Sequence, residues 1–145
     1  MSQDPFNLQR FADAQADVYE QVLDELARGR KRTHWMWFIF PQLRALGRSS
    51  TAQYYGITSR DEAAAYLRHP VLGSRLRQCV DQLLALGLAD AHAIFGSPDD
   101  IKFRSCLTLF AAVSPDEARF RDALGRFYPD GPDALTLDLL RESTA

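Results

Sequence analysis

Leu72-Gly73-Ser74-Arg75-Leu76-Arg77-Gln78-Cys79-Val80-Asp81-Gln82-Leu83-Leu84 decides the fold class. Leu72, Leu76, Cys79, Val80, Leu83 and Leu84 recur at the spacing of one helix face, and polar residues fill most of the rest. No cleaner amphipathic pattern occurs in the chain, and Gly87 closes it. Just upstream, Ser59-Arg60-Asp61-Glu62 reads as a capping box, with Ser at the N-cap and Glu three residues on. The helix it opens runs through Tyr66 and Leu67 and stops before His69-Pro70. Downstream, Ser97-Pro98-Asp99-Asp100 and Ser114-Pro115-Asp116-Glu117 are two more helix starts, with Pro at the first helical position and acids in the first turn.

The first of these starts leads into the apolar run Cys106 to Val113, which reads as a buried helix. The second carries Phe120, Leu124 and Phe127, and a last helix follows Pro132 using Leu135, Leu139 and Leu140. At the other end, Leu8, Phe11, Val18, Tyr19, Val22 and Leu26 keep helical spacing. Asp13-Ala14-Gln15 is the expected break in that stretch, and Gly29 the expected cap. Few segments are rich in β-branched residues. The fold class is therefore all-α: a compact single-domain bundle of six to eight helices, with its core between about residues 6 and 140.

Composition bounds the function. The chain has 145 residues, 46% hydrophobic and 25% charged, with a formal net charge of -2. That is enough chain to bury a core without staples. A nearly neutral total argues against bulk nucleic-acid binding. No apolar run approaches the ~20 residues of a membrane span, and no secretory leader pattern opens the chain. The expectation is a soluble, cytoplasmic protein with reduced thiols. Cys79 and Cys106 are too few for a disulfide scaffold and read as core thiols. His34, His69 and His92 show no metal-ligand spacing. No phosphate loop or nucleophile elbow is present, so no cofactor is expected.

Charge is distributed very unevenly. Residues 26 to 60 contain no acid and seven basic side chains: Arg28, Arg30, Lys31, Arg32, Arg44, Arg48 and Arg60. The other 110 residues hold 10 basic and 19 acidic ones, so the chain is polarised and one face should attract an anion. The same segment contains His34-Trp35-Met36-Trp37-Phe38-Ile39-Phe40-Pro41-Gln42, with both tryptophans of the protein. Aromatic rings beside cations suit stacking together with neutralisation of negative charge. Fifteen of the 17 basic residues are Arg, which makes the two lysines, Lys31 and Lys102, stand out as compact charges.

Phe6-Asn7-Leu8-Gln9-Arg10-Phe11 and Lys31-Arg32-Thr33-His34-Trp35-Met36-Trp37-Phe38-Ile39-Phe40-Pro41-Gln42 resemble the domain of unknown function 1810 family. Tyr66-Leu67-Arg68-His69-Pro70-Val71-Leu72-Gly73 and Phe95-Gly96-Ser97-Pro98-Asp99-Asp100-Ile101-Lys102 share that resemblance, which extends from about Phe6 to Leu140. It implies a multihelical fold and carries no established activity. Members are often labelled calpastatin, but calpain inhibitors of that name are disordered and polar, unlike this chain. Both lysines fall inside the family's motifs.

Three functional readings compete. The first is a site around residues 31–42 for a small anionic ligand, nucleotide-like or phosphorylated. There Arg10, Lys31 and Lys102 bind charge, Trp35 and Trp37 stack, and His34 and Gln42 hydrogen-bond. The second is a protein-interaction module using the aromatic block as a hot spot. The third is an enzyme with His34 as general acid or base, which needs a carboxylate brought to it by folding. Against all three stands the plain alternative that the aromatic rings are core and the arginines a solvated helix end.

Overall fold

The central element is a helix whose middle is buried on every side. Phe103 and the unbroken series Ser105 to Phe110 are all buried within it, which marks a helix surrounded by others. In the computed structural model, which describes residues 4–87 and 89–143, this helix is α8 of ten. The order is α1 (Gln9–Ala16), α2 (Tyr19–Ala27), α3 (Met36–Ile39), a 3-10 turn (Arg44–Leu46), α4 (Ser50–Tyr54) and α5 (Arg60–Arg68). There follow α6 (Leu72–Leu84), α7 (Ala91–Phe95), α8 (Asp99–Val113), α9 (Ala118–Phe127) and α10 (Ala134–Ser143). No strand occurs among the described residues, so the all-α reading holds.

Ten helices exceed the expected six to eight. The surplus is α3, α4 and α7, of four or five residues each, too short to show a 3.6-residue period. Other boundaries also move. The break between the first two helices falls at Asp17 and Val18, after the Asp13-Ala14-Gln15 stretch. The helix expected from Ser114 starts at Ala118, because Ser114 Oγ donates to Glu117 Oε2 and the intervening residues form a turn. Gly29 takes φ 71° behind α2, in the left-handed conformation that ends a helix.

α8 packs against α5, α7, α9 and α10, and α6 lies across α2, α5 and α9. The apolar face read from Leu72 to Leu84 is buried as expected except at Leu84, which is half-buried. α6 can begin so soon after α5 because residue 73 lacks a side chain: a Cβ there would lie 2.1 Å from the Leu67 carbonyl oxygen. Phe103 of α8 meets Phe40 and Phe95 at ring-centroid distances of 4.8 and 4.7 Å, and Phe110 meets Tyr66 at 5.6 Å.

Both thiols sit in this core. Burial pushes the Cys79 thiol up to about 12 and raises Cys106 well above its ordinary value. A buried thiol that stays protonated is a poor nucleophile. A disulfide-exchange reagent at pH 8 is expected to find no fast thiol in the native protein and two after denaturation. A fast native thiol would contradict the burial.

Candidate functional site

Glu25, near the end of α2, organises the start of the basic segment. Its carboxylate is 1% exposed. Oε1 accepts the backbone N–H of Arg32 at 2.6 Å, that of Thr33 at 3.0 Å and the indole N–H of Trp35 at 3.0 Å. Oε2 accepts from the Thr33 hydroxyl and from Gln21 Nε2. Burial pushes the carboxyl up, but these hydrogen bonds outweigh it and hold the group at about 2. The loop after α2 therefore turns back on its own helix, and the Lys31 N–H reaches the Ile94 carbonyl at the other side.

That turn sends Lys31 inward. Its side chain is 8% exposed, its Nζ lies 2.9 Å from Asp99 Oδ2, and it stands 5.1 Å from the Trp35 ring centroid. Lys102, one turn into α8, lies 3.6 Å from the other oxygen of Asp99 and 5.4 Å from the Trp37 ring centroid. One carboxylate thus bridges the only two lysines of the chain, and each lysine also sits over one of its two tryptophans. Asp99, read from the sequence as a first-turn residue, is the hinge of this cluster.

Below it opens a groove of about 590 Å³. Its floor is one face of α8, where Pro98, Ile101, Lys102 and Ser105 recur at helical spacing. Gln42, Arg48 and Ser49 form one wall, and Asp133 and Leu135 the other. The first wall is held by paired backbone bonds: Arg44 N–H to Ile57 O at 2.8 Å and Ile57 N–H to Gln42 O at 2.9 Å. Gly56 permits this approach, since a Cβ would lie 2.3 Å from Arg44 Cα. On the second wall, Asp133 Oδ2 accepts from the Thr136 N–H and hydroxyl and lies 3.3 Å from Ser105 Oγ.

The residues singled out from sequence therefore separate. Lys31 and Lys102 meet through Asp99, with Trp35 beneath one and Trp37 beside the other. Gln42 shares the groove with Lys102. Trp35 is 1% exposed, so its ring has no free face for a ligand. Met36, Ile39 and Phe40 are buried too, so of the rings in the aromatic block only Trp37 and Phe38 are half-buried. His34 is exposed, and no carboxylate is hydrogen-bonded to it among the described residues. Arg10 lies elsewhere. Its five N–H groups go to the carbonyls of Phe6, Asn7, Tyr54 and Gly56 and to Glu62 Oε2.

The family model that matches the chain describes a protein of unknown function, DUF1810, and spans residues 5–140. The chain belongs to the DUF1810 family. Among solved structures, this DUF1810 chain is similar to the conserved hypothetical protein Rv1873 from Mycobacterium tuberculosis. The two are 48% identical, with a TM-score of 0.93, over 95% of this chain and 99% of that one. No curated protein matches it. Among the described residues, no helix is long and apolar enough to cross a membrane and no three metal-ligating side chains gather.

Sequence reading missed Arg48, Ser105, Asp133, Ile101 and Leu135 as parts of this DUF1810 groove. Leu135, expected on the apolar face of the last helix, is 55% exposed, while Leu140 of the same helix is buried.

Proposed function

We propose that this protein is a binding domain for a small anionic ligand, held in the groove between the 42–52 segment, α8 and the start of α10. The observation that carries the reading is Lys102. It is a cation on the groove floor, 24% exposed, steadied by Asp99 and by the Trp37 ring. A cation fixed in place before the ligand arrives loses little freedom on binding. Arg48 adds charge, and Gln42 and Ser49 offer hydrogen-bond donors. Lys31 acts at one remove, by sharing Asp99 and so leaving Lys102 incompletely neutralised. Arg10 has no donor left to offer.

The test is a thermal-shift screen against inorganic phosphate, mononucleotides, ADP-ribose and simple carboxylates, at low and then high salt. A ligand present at 100 times its Kd raises stability by about 2.7 kcal/mol, a rise of several degrees in a domain of this size. Lys102→Met is expected to abolish the rise while leaving the unliganded Tm within about 2 °C, since surface substitutions stay near 0.5 kcal/mol. A flat screen at both salt concentrations refutes the reading.

A further inference from the structure

The groove is apolar as well as charged. Four large apolar side chains are exposed among the described residues: Tyr54, Val71, Ile101 and Leu135. Two of them, Ile101 at 59% and Leu135 at 55%, line this one groove. Leu46 and Ala52 extend the lining, and among the described residues no aromatic ring contributes to it. Ile101 on the floor and Leu135 on one wall thus leave aliphatic surface open beside the Lys102 cation within one groove.

The charges limit that something. Lys31, Lys102 and Arg48 are set against Asp99 and Asp133, which leaves one net positive charge around the groove. A dianionic phosphate would exceed that single positive charge and would meet the Asp133 carboxylate in the lining. With no ring lining the groove, a purine has nothing to stack on. We infer that the ligand is an aliphatic monoanion: a carboxylate head taken by Lys102 and Arg48, and a hydrocarbon body lying over Ile101 and Leu135. This narrows the anion-binding reading above and rests on it. A volume of about 590 Å³ lies within the range of sites for small organic ligands.

Isothermal titration of the full chain with acetate, butanoate, hexanoate and octanoate, kept below micelle formation, tests the inference. AMP, inorganic phosphate and octan-1-ol serve as comparison ligands. Each buried methylene adds about 0.8 kcal/mol, or roughly fourfold in affinity, so Kd should fall steeply from butanoate to octanoate. Octan-1-ol should bind at least tenfold more weakly than octanoate. Ile101→Ser and Leu135→Ser, both at exposed positions, should flatten the chain-length series, and Lys102→Met should erase the preference for octanoate over octan-1-ol. If AMP or phosphate binds in a Lys102-dependent way and the carboxylate series is flat, the inference fails and the anion site stands. If octan-1-ol matches octanoate, the carboxylate head is wrong. If no anion binds, both readings fall together.

Discussion

Glu25→Ala is expected to lose on the order of 4 kcal/mol of stability, seen as a midpoint shift in urea denaturation with an unchanged slope. Removing the carboxylate orphans the indole N–H of buried Trp35 and takes the acceptor from the Arg32 and Thr33 amides. A buried donor left without a partner costs about 1–3 kcal/mol, and the two amides recover part of their loss from water because Arg32 and Thr33 are exposed. The depressed carboxyl leads to a figure of the same order. A carboxyl held at about 2 against an ordinary 4.5 contributes about 3 kcal/mol at neutral pH.

The sign follows from the depressed value. The contribution is complete above pH 4.5 and is lost as pH falls through about 2. Wild type should therefore lose stability between pH 4.5 and 2 more steeply than Glu25→Gln, whose amide does not titrate. Equal slopes would mean that Glu25 is not anchored as described. The same change reaches the site, because the loop that Glu25 holds is the loop that delivers Lys31 to Asp99. Glu25→Ala should thus also weaken anion binding, even in the fraction that stays folded.

The long helices were legible because each carries several turns of one pattern. The α6 face is read from spacing, and α8 from the Ser97-Pro98-Asp99-Asp100 start ahead of an apolar run; the α6 face is buried except at Leu84, and the α8 run through Phe110. The Ser59 box is half right. Ser59 Oγ does accept the Glu62 N–H at 3.1 Å, but the Glu62 carboxylate turns to Thr58 and Arg10 and makes no return bond to Ser59. A local motif fixes the local donor, and tertiary structure decides where the second partner comes from. The short helices α3, α4 and α7 hold about one turn each and have no period to read.

The site was legible in its charges and illegible in its pairings. The two lysines could be picked out as unusual in an Arg-rich chain, and they do converge. Asp99 looks like any first-turn acid, since nothing local records that Lys31, 68 positions away in the chain, will close on it. The tryptophans illustrate the opposite limit. Two indoles two positions apart on one turn cannot share a face, so one enters the core and the other borders the surface. Sequence supplies the pair, and packing against Phe40 and Phe95 decides which is which.

Arg10→Met separates a structural arginine from a ligand-binding one, and the expected loss is about 3–5 kcal/mol, or on the order of 10 °C in Tm. Arg10 and Glu62 face each other at 2.8 Å with side chains only 7% and 2% exposed. Breaking such a pair strands a charge in the interior, which costs more than the pair itself contributes. Here the guanidinium also ties the carbonyls of Tyr54 and Gly56 to those of Phe6 and Asn7, so it staples α1 to the segment that carries the groove wall. Lysine cannot repeat this, since an ammonium has three donors and no fork. Arg10→Lys should therefore recover less than half of the loss. Adding Glu62→Gln to Arg10→Met removes the stranded charge and keeps an acceptor for the Thr58 N–H. The double variant should then be more stable than the sum of the single losses allows, by at least 1 kcal/mol in a double-mutant cycle. Additive losses would show that the two side chains do not act as a pair. An Arg10→Met protein with unchanged Tm and abolished anion binding would return Arg10 to the ligand site.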